Sequence, residues 1–310
     1  MLRYYVFDWY RCLSRPYRAM ISTSLKSVLH HVKYFPLWSA LTVLRWRAFD
    51  LRSRGLGTTF GVIMRCFPPA RRRFDREAKR VFPNMKRSAR AHLGQNMGRH
   101  MGRTLFEIYH DAEFQTQHHK FNASGSGLVA LKEAHAVGKG AIIVSGHFGQ
   151  WEAVRAAIKM QGLESGAVYR PNKNRHYERR IFAGIEAGGK PVLATGRVGT
   201  KALVRHLRGG GIISILLDEK YSEGVRIPFL GYDALTSLSA AQLALKYGLP
   251  MIPAYGTRTE DGNAFHVDFE APIPHTDSIT MTHAFNDSLS ARIMADPEQW
   301  YWMLRRWDGV

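Results

Sequence analysis

Gly140-Ala141-Ile142-Ile143-Val144-Ser145-Gly146-His147-Phe148-Gly149-Gln150-Trp151-Glu152 is the stretch on which the fold class turns. Its apolar first half reads as a buried strand, and Trp151 begins a helix that runs to Met160. Between them, Gly146 and Gly149 allow the backbone a tight turn. A strand that passes straight into a helix leaves His147 at the strand's carboxyl end, where open α/β sheets keep their binding crevices.

The same alternation continues downstream. Residues 167–169, 191–194 and 211–217 read as strands, and residues 177–186 and 198–207 as helices. Residues 251–258 and 264–269 flank Thr259-Glu260-Asp261-Gly262-Asn263 in the pattern of a β-hairpin. The expectation is an α/β fold with a mixed, mainly parallel central sheet flanked by helices. Upstream, residues 1–120 read as a basic helical region that associates with membranes, and residues 121–310 as one compact catalytic core. Gly94, Gly98 and Gly102 within the helical pattern of residues 89–109 suit close helix packing.

Composition narrows the function. Against 25 Asp and Glu stand 44 Lys and Arg, giving a formal net charge of +19, which draws the protein to polyanions: nucleic acid, an anionic bilayer or an acidic carrier. No DNA- or RNA-binding motif accompanies that charge, so nucleic acid is not an expected partner. Cys12 and Cys66 form no CxxC pair, so neither a disulfide framework nor a metal is implied. Residues 1–12 mix Arg3, Asp8 and Arg11 with aromatics, unlike a cleaved signal. Residues 34–44 are apolar apart from Ser39 and Thr42, but Arg45 and Arg47 end the run well short of the roughly 20 residues that span a bilayer. Leu37 to Arg47, with apolar positions at helical spacing and cations beyond, reads instead as a helix lying in a membrane interface. Arg71-Arg72-Arg73 is a candidate phosphate-seeking patch, or a solvated face.

The chemistry concentrates at strand ends. His147 is the candidate general base, and Glu152 the carboxylate that orients it. Residues five apart on a helix lie about 140° from each other. His147 therefore belongs in the loop and Glu152 in the first helical turn, where the helix dipole favours a carboxylate. A second strand ends in Asp218-Glu219-Lys220, and either carboxylate can orient the base or the acceptor. A third is followed by Tyr169-Arg170-Pro171-Asn172-Lys173-Asn174, in which Arg170 can bind a phosphate or support an oxyanion.

Five blocks then occur in order: His147-Phe148-Gly149-Gln150-Trp151-Glu152; Tyr169 to Asn174; Asp218-Glu219; Pro228-Phe229-Leu230-Gly231 with Thr236; and Pro297-Glu298-Gln299-Trp300-Tyr301-Trp302 with Arg305-Arg306. Together they resemble the late acyltransferases of lipid A biosynthesis, the bacterial lauroyl/myristoyl transferase family, from about residue 78 to the C-terminus. Mycobacterial acyltransferases of phosphatidylinositol mannosides are similar in the same blocks.

The resemblance implies transfer of a fatty acyl chain from acyl carrier protein to a hydroxyl of a lipid A precursor or another glycolipid acceptor. The reaction would run at the cytoplasmic face of the bacterial inner membrane, on a protein bound to anionic lipid, without a cofactor. His147 and Glu152 are then catalytic, while Arg170, Asn172, Asn174, Asp218, Glu219, Gly149, Gly231 and Thr236 contact substrate. Backbone N–H groups near Gly149 are candidate oxyanion donors, and Thr236 a helix cap. The chain departs from the family in its charge-interrupted apolar stretch, in Gln150 where Asn is common, and in Met303-Leu304 where a Ser-His pair is expected.

Overall fold

The computed structural model describes His30, His31, Tyr34, Phe35, Trp38, Ser39, Thr42 and residues 45–309. Residues 1–12 and part of 34–44 lie outside the described residues. Trp46 and the described Phe35 and Trp38 are exposed. No helix among the described residues is long and apolar enough to cross a membrane.

From Phe49 onward the described residues form ten α-helices, two short 3-10 turns and nine strands. Three long helices come first: α1 (Phe49–Cys66), α2 (Pro68–Val81) and α3 (Arg87–Tyr109). The α1–α3 packing rests on glycine. A Cβ on Gly102 would stand 2.6 Å from the Leu56 carbonyl oxygen, and one on Gly98 would stand 2.8 Å from that of Phe60. The close approach read from the glycine spacing is therefore real. The arginine run splits, because Arg71 and Arg72 are exposed on α2 while Arg73 donates to the Met303 carbonyl.

After α4 (Asp111–Phe114) the sheet begins. Its strands are β1 (Phe121–Ser124), β2 (Ala141–Ser145), β3 (Ser165–Tyr169), β4 (Val192–Ala194), β5 (Ile212–Leu216), β8 (Met251–Arg258) and β9 (Phe265–Phe269), arranged in the order β1-β9-β8-β2-β5-β3-β4. Strands β8, β2, β5, β3 and β4 run parallel, and β9 is antiparallel to β8, so the sheet is mixed and mainly parallel as expected. Every residue of β2 is buried, as befits a central strand covered on both faces.

The connecting helices are α5 (Ser126–Ala136), α6 (Trp151–Met160), α7 (Arg175–Gly188), α8 (Arg197–Arg208), α9 (Ser239–Tyr247) and α10 (Ser278–Ala295). One apolar core runs from Phe49 on α1 to Trp307 near the C-terminus.

A second, two-stranded sheet pairs β6 (Val225–Phe229) with β7 (Tyr232–Thr236), and this corrects the sequence reading of that block. Leu230 and Gly231 form a hairpin turn with positive φ at both positions. Thr236 does not cap a helix: α9 starts at Ser239 behind Leu238 without a side-chain cap. Instead Thr236 ends β7, fully buried, and its hydroxyl accepts from Arg306 Nη2 at 2.6 Å.

Candidate active site

In the register between β2 and β5, Ser145 stands opposite Leu216, and the Leu217 N–H donates to the Ser145 carbonyl. Two residues further on, each strand places one polar side chain at the sheet's carboxyl edge. They meet: His147 Nδ1 lies 2.7 Å from Asp218 Oδ1, with both side chains fully buried. Asp218 Oδ2 accepts from the His147 backbone N–H at 2.7 Å and from Trp300 Nε1 at 2.9 Å. Burial works to raise the Asp218 pKa, but the electrostatic pull of the adjoining imidazole and the hydrogen bonds from His147 and Trp300 hold it below the ordinary value.

An ionised carboxylate only accepts, so the proton of the neutral imidazole resides on Nδ1. The lone pair is thereby assigned to Nε2. Trp151 packs edge-on against the ring at 5.1 Å. Of the two carboxylates the sequence offered at the end of β5, it is Asp218 that meets the imidazole.

Glu152 does not orient the imidazole, contrary to the sequence expectation. Trp151 is the α6 residue that faces His147, and Glu152 turns away toward the end of α7. There Glu152 Oε2 accepts from Arg155 Nη1 at 2.6 Å, and both side chains are buried. The same guanidinium donates to the carbonyls of Ser165, Ile185 and Gly189, tying α6 to β3 and α7. Asp111 approaches the same spot, since a Cβ on Gly188 would lie within 3 Å of Arg155, Glu152 and Asp111. Two buried carboxylates thus crowd one spot, and only Glu152 pairs with the guanidinium. Burial raises the pKa of Glu152 against the pull of Arg155; burial and then the Glu152 charge raise that of Asp111 well above normal.

Nor are the amides at Gly149 available to an oxyanion. The Gly149 N–H donates to the Gln299 carbonyl at 2.9 Å and the Gln150 N–H to the Gly256 carbonyl at 2.8 Å. Gly149 has φ +57°, and a Cβ there would lie 2.2 Å from the Gly256 carbonyl oxygen, so the position requires glycine.

Among the remaining predicted residues, Arg170 and Glu219 come together at 3.8 Å, with Arg170 more than half exposed. Asn172 and Asn174 build their own loop. Asn172 Oδ1 accepts from the Asn174 N–H, and Asn174 caps α7 by accepting from the His176 N–H. Gly231 sits in the β6–β7 turn.

An apolar cleft opens beside Trp151, the ring packed against His147. Leu105, Ile108, Trp151, Val154, Ile181 and Ile185 line it over the ends of β2, β3 and β5, and its cavity volume is about 60 Å³. Arg170 stands on its rim.

Sequence reasoning assigned no role to the C-terminal aromatic block, yet that block holds the site. Trp300 bonds Asp218, the Tyr301 N–H donates to the His147 carbonyl, and Gln299 receives the Gly149 N–H. Its only sequence signal was a run of aromatics recurring with the other blocks.

A family model described as bacterial lipid A biosynthesis acyltransferase matches residues 23–308. A lipid A biosynthesis acyltransferase of Haemophilus influenzae is 24% identical over 288 residues, covering 88% of this chain and 87% of that protein. A lipid A biosynthesis lauroyltransferase of Escherichia coli is 26% identical over 186 residues, 58% of this chain and 60% of that one. A phosphatidylinositol mannoside acyltransferase of Mycobacterium tuberculosis is 24% identical over 185 residues, 58% of each chain.

Proposed function

The chain belongs to the bacterial lipid A biosynthesis acyltransferase family, and from that premise we propose that this acyltransferase moves a fatty acyl chain from acyl carrier protein to a hydroxyl of a lipid A precursor. The observation that carries the proposal is the buried His147–Asp218 pair beside an apolar cleft. An oriented imidazole with its lone pair on Nε2 is a general base for an alcohol.

The acceptor O–H gives its proton to Nε2 while its oxygen attacks the thioester carbonyl, and Asp218 stabilises the imidazolium that forms. Collapse of the tetrahedral intermediate breaks the C–S bond, and the imidazolium returns the proton to the departing thiolate. Direct transfer needs no acyl-enzyme. The apolar cleft receives the acyl chain. Arg170, half exposed on the rim, meets an anionic group of the acceptor with the planar fork that suits phosphate. Asp218 acts as the orienting group, and Glu152 acts through Arg155 on the walls around the cleft.

The protein works at the cytoplasmic face of the inner membrane as a peripheral or monotopic enzyme. Exposed Phe35, Trp38, Trp46, Val62 and Ile63, with Arg54, Arg65, Arg71 and Arg72, give the helical layer apolar groups and cations suited to an anionic lipid interface.

The second acceptor is another glycolipid such as a phosphatidylinositol mannoside, favoured by the mycobacterial relative. Mass spectrometry of membrane lipids after deletion separates the two. Loss of one acyl chain from lipid A is expected; unchanged lipid A with a missing chain on another glycolipid shifts the assignment to that acceptor. Purified protein assayed with acyl carrier protein and acyl-CoA donors identifies the donor.

A further inference from the structure

We infer that Glu107, on α3, is a positioning residue for His147 and acts through the side chain of Gln150; the inference rests on the proposed acyl transfer for its kinetic consequence alone. Both residues are buried, Glu107 at 2% exposure and Gln150 at 0%. Gln150 Nε2 donates to Glu107 Oε2 at 2.6 Å and, more weakly, to the Thr104 carbonyl at 3.4 Å. The other end of the same amide, Oε1, accepts from the Glu152 N–H at 3.2 Å and so caps α6. This position needs a donor at one end and an acceptor at the other.

Glu107 is itself immobilised. Arg258 from β8 grips both carboxylate oxygens, at 2.8 and 2.6 Å, and Ser53 from α1 donates to Oε1 at 2.9 Å. One turn earlier on α3, the Thr104 hydroxyl donates to the Gly149 carbonyl at 3.0 Å. Thr104 and Glu107 thus form one face of α3 that holds the turn at Gly149 and Gln150.

That turn sets the imidazole. Gln150 fixes where α6 starts, and Trp151, the first residue of α6, is the ring packed against His147. On the other side His147 is held by Asp218 and by the Tyr301 N–H. Loss of the Glu107–Gln150 bond frees the Trp151 wall while Asp218 stays in place. Misplacement of a base by about 1 Å is enough to cost up to about 100-fold in rate.

The experiment uses the full chain with Glu107→Gln, Gln150→Glu, Gln150→Asn and the double exchange Glu107→Gln/Gln150→Glu. Two quantities are read: kcat and KM for acyl transfer, and the NMR resonance of the His147 Nδ1 proton, assigned by its loss in His147→Ala. Glu107→Gln sets amide against amide or guanidinium, and Gln150→Glu sets carboxylate against carboxylate. Each single variant is expected to shift the resonance and lower kcat about tenfold with KM within about twofold. The double exchange restores a carboxylate–amide bond in the reverse sense and recovers both readouts toward wild type. Gln150→Asn, shorter by one methylene, gives the same direction if a charge variant does not fold. Folded single variants with wild-type resonance and kcat overturn the inference, as does a double exchange no better than the worse single. A wild-type protein that transfers no acyl chain sinks the functional reading, and the resonance still decides the positioning role.

Discussion

His147 and Asp218 face each other across neighbouring strands with 2.7 Å between Nδ1 and Oδ1, and the same carboxylate also accepts the His147 backbone N–H. One residue therefore fixes both the ring and the peptide that carries it. Asp218→Asn retains the shape, but its amide can present an N–H to Nδ1 and favour the wrong tautomer. A fall in kcat of about 1,000-fold or more is expected, with KM little changed. Steady-state acyl transfer measures it, and an Asp218→Asn enzyme within tenfold of wild type would rule out this orienting role.

Glu152→Gln provides the contrast. Glu152 contacts Arg155 and not the imidazole, so the substitution leaves the base oriented and its kcat loss is expected to be far smaller than that of Asp218→Asn. Arg155 keeps its three carbonyl acceptors in that variant. Equal kcat losses in the two variants would return Glu152 to the chemistry.

How much of this was legible depended on whether the deciding interaction was local. The strand at 141–145 and its glycine turn were readable because an apolar run and two glycines carry their own geometry. Helical phase alone moved His147 off the helix, yet it could not tell which way the loop enters, and Trp151 rather than Glu152 turned inward. Asp218 and Glu219 were indistinguishable until the register of β2 on β5 chose between them. The β6–β7 hairpin escaped the sequence reading, and its first strand carries Pro228. A two-stranded ribbon has free edges that accommodate it. Thr236 was misread because its partner, Arg306, lies 70 positions away.

The pair Asp111 and Glu152 makes stability depend on pH. A carboxyl whose folded pKa lies above its unfolded value binds its proton more tightly in the folded state, so stability falls as pH rises from the unfolded value to the folded one. For Asp111 the window opens near the ordinary 3.8 and extends well above it. Asp111→Asn removes that loss and still accepts from Gln115, which now bonds the carboxylate. Its melting temperature is expected to exceed wild type at pH 7 and to match it near pH 4. A variant less stable than wild type at pH 7 would contradict the crowding of Asp111 beside Glu152 in a buried spot.

Gly102→Ala tests the helical layer. In an exposed helix interior the change gains about 1 kcal/mol. Here the new methyl would stand 2.6 Å from the Leu56 carbonyl oxygen and 2.9 Å from Gly57 Cα, both backbone atoms. Overpacking of this kind costs about 1–3 kcal/mol and outweighs the propensity gain. A lower denaturation midpoint is expected, and an increase would mean that α1 and α3 pack less closely.

Ile185 reaches the wall of the apolar cleft from the last turn of α7. Ile185→Trp fills part of the space without touching the His147–Asp218 pair, so it separates the capacity for chain from the chemistry. Each methylene denied burial costs about 0.8 kcal/mol, or roughly fourfold in kcat/KM. The expected result is a shift in donor preference toward shorter acyl chains, with kcat on a short donor held near wild type. Competition between donors of different length in one reaction reads the ratio directly. If the preference stays unchanged while the variant remains folded, the chain lies elsewhere; if every donor slows equally, the substitution has disturbed the base.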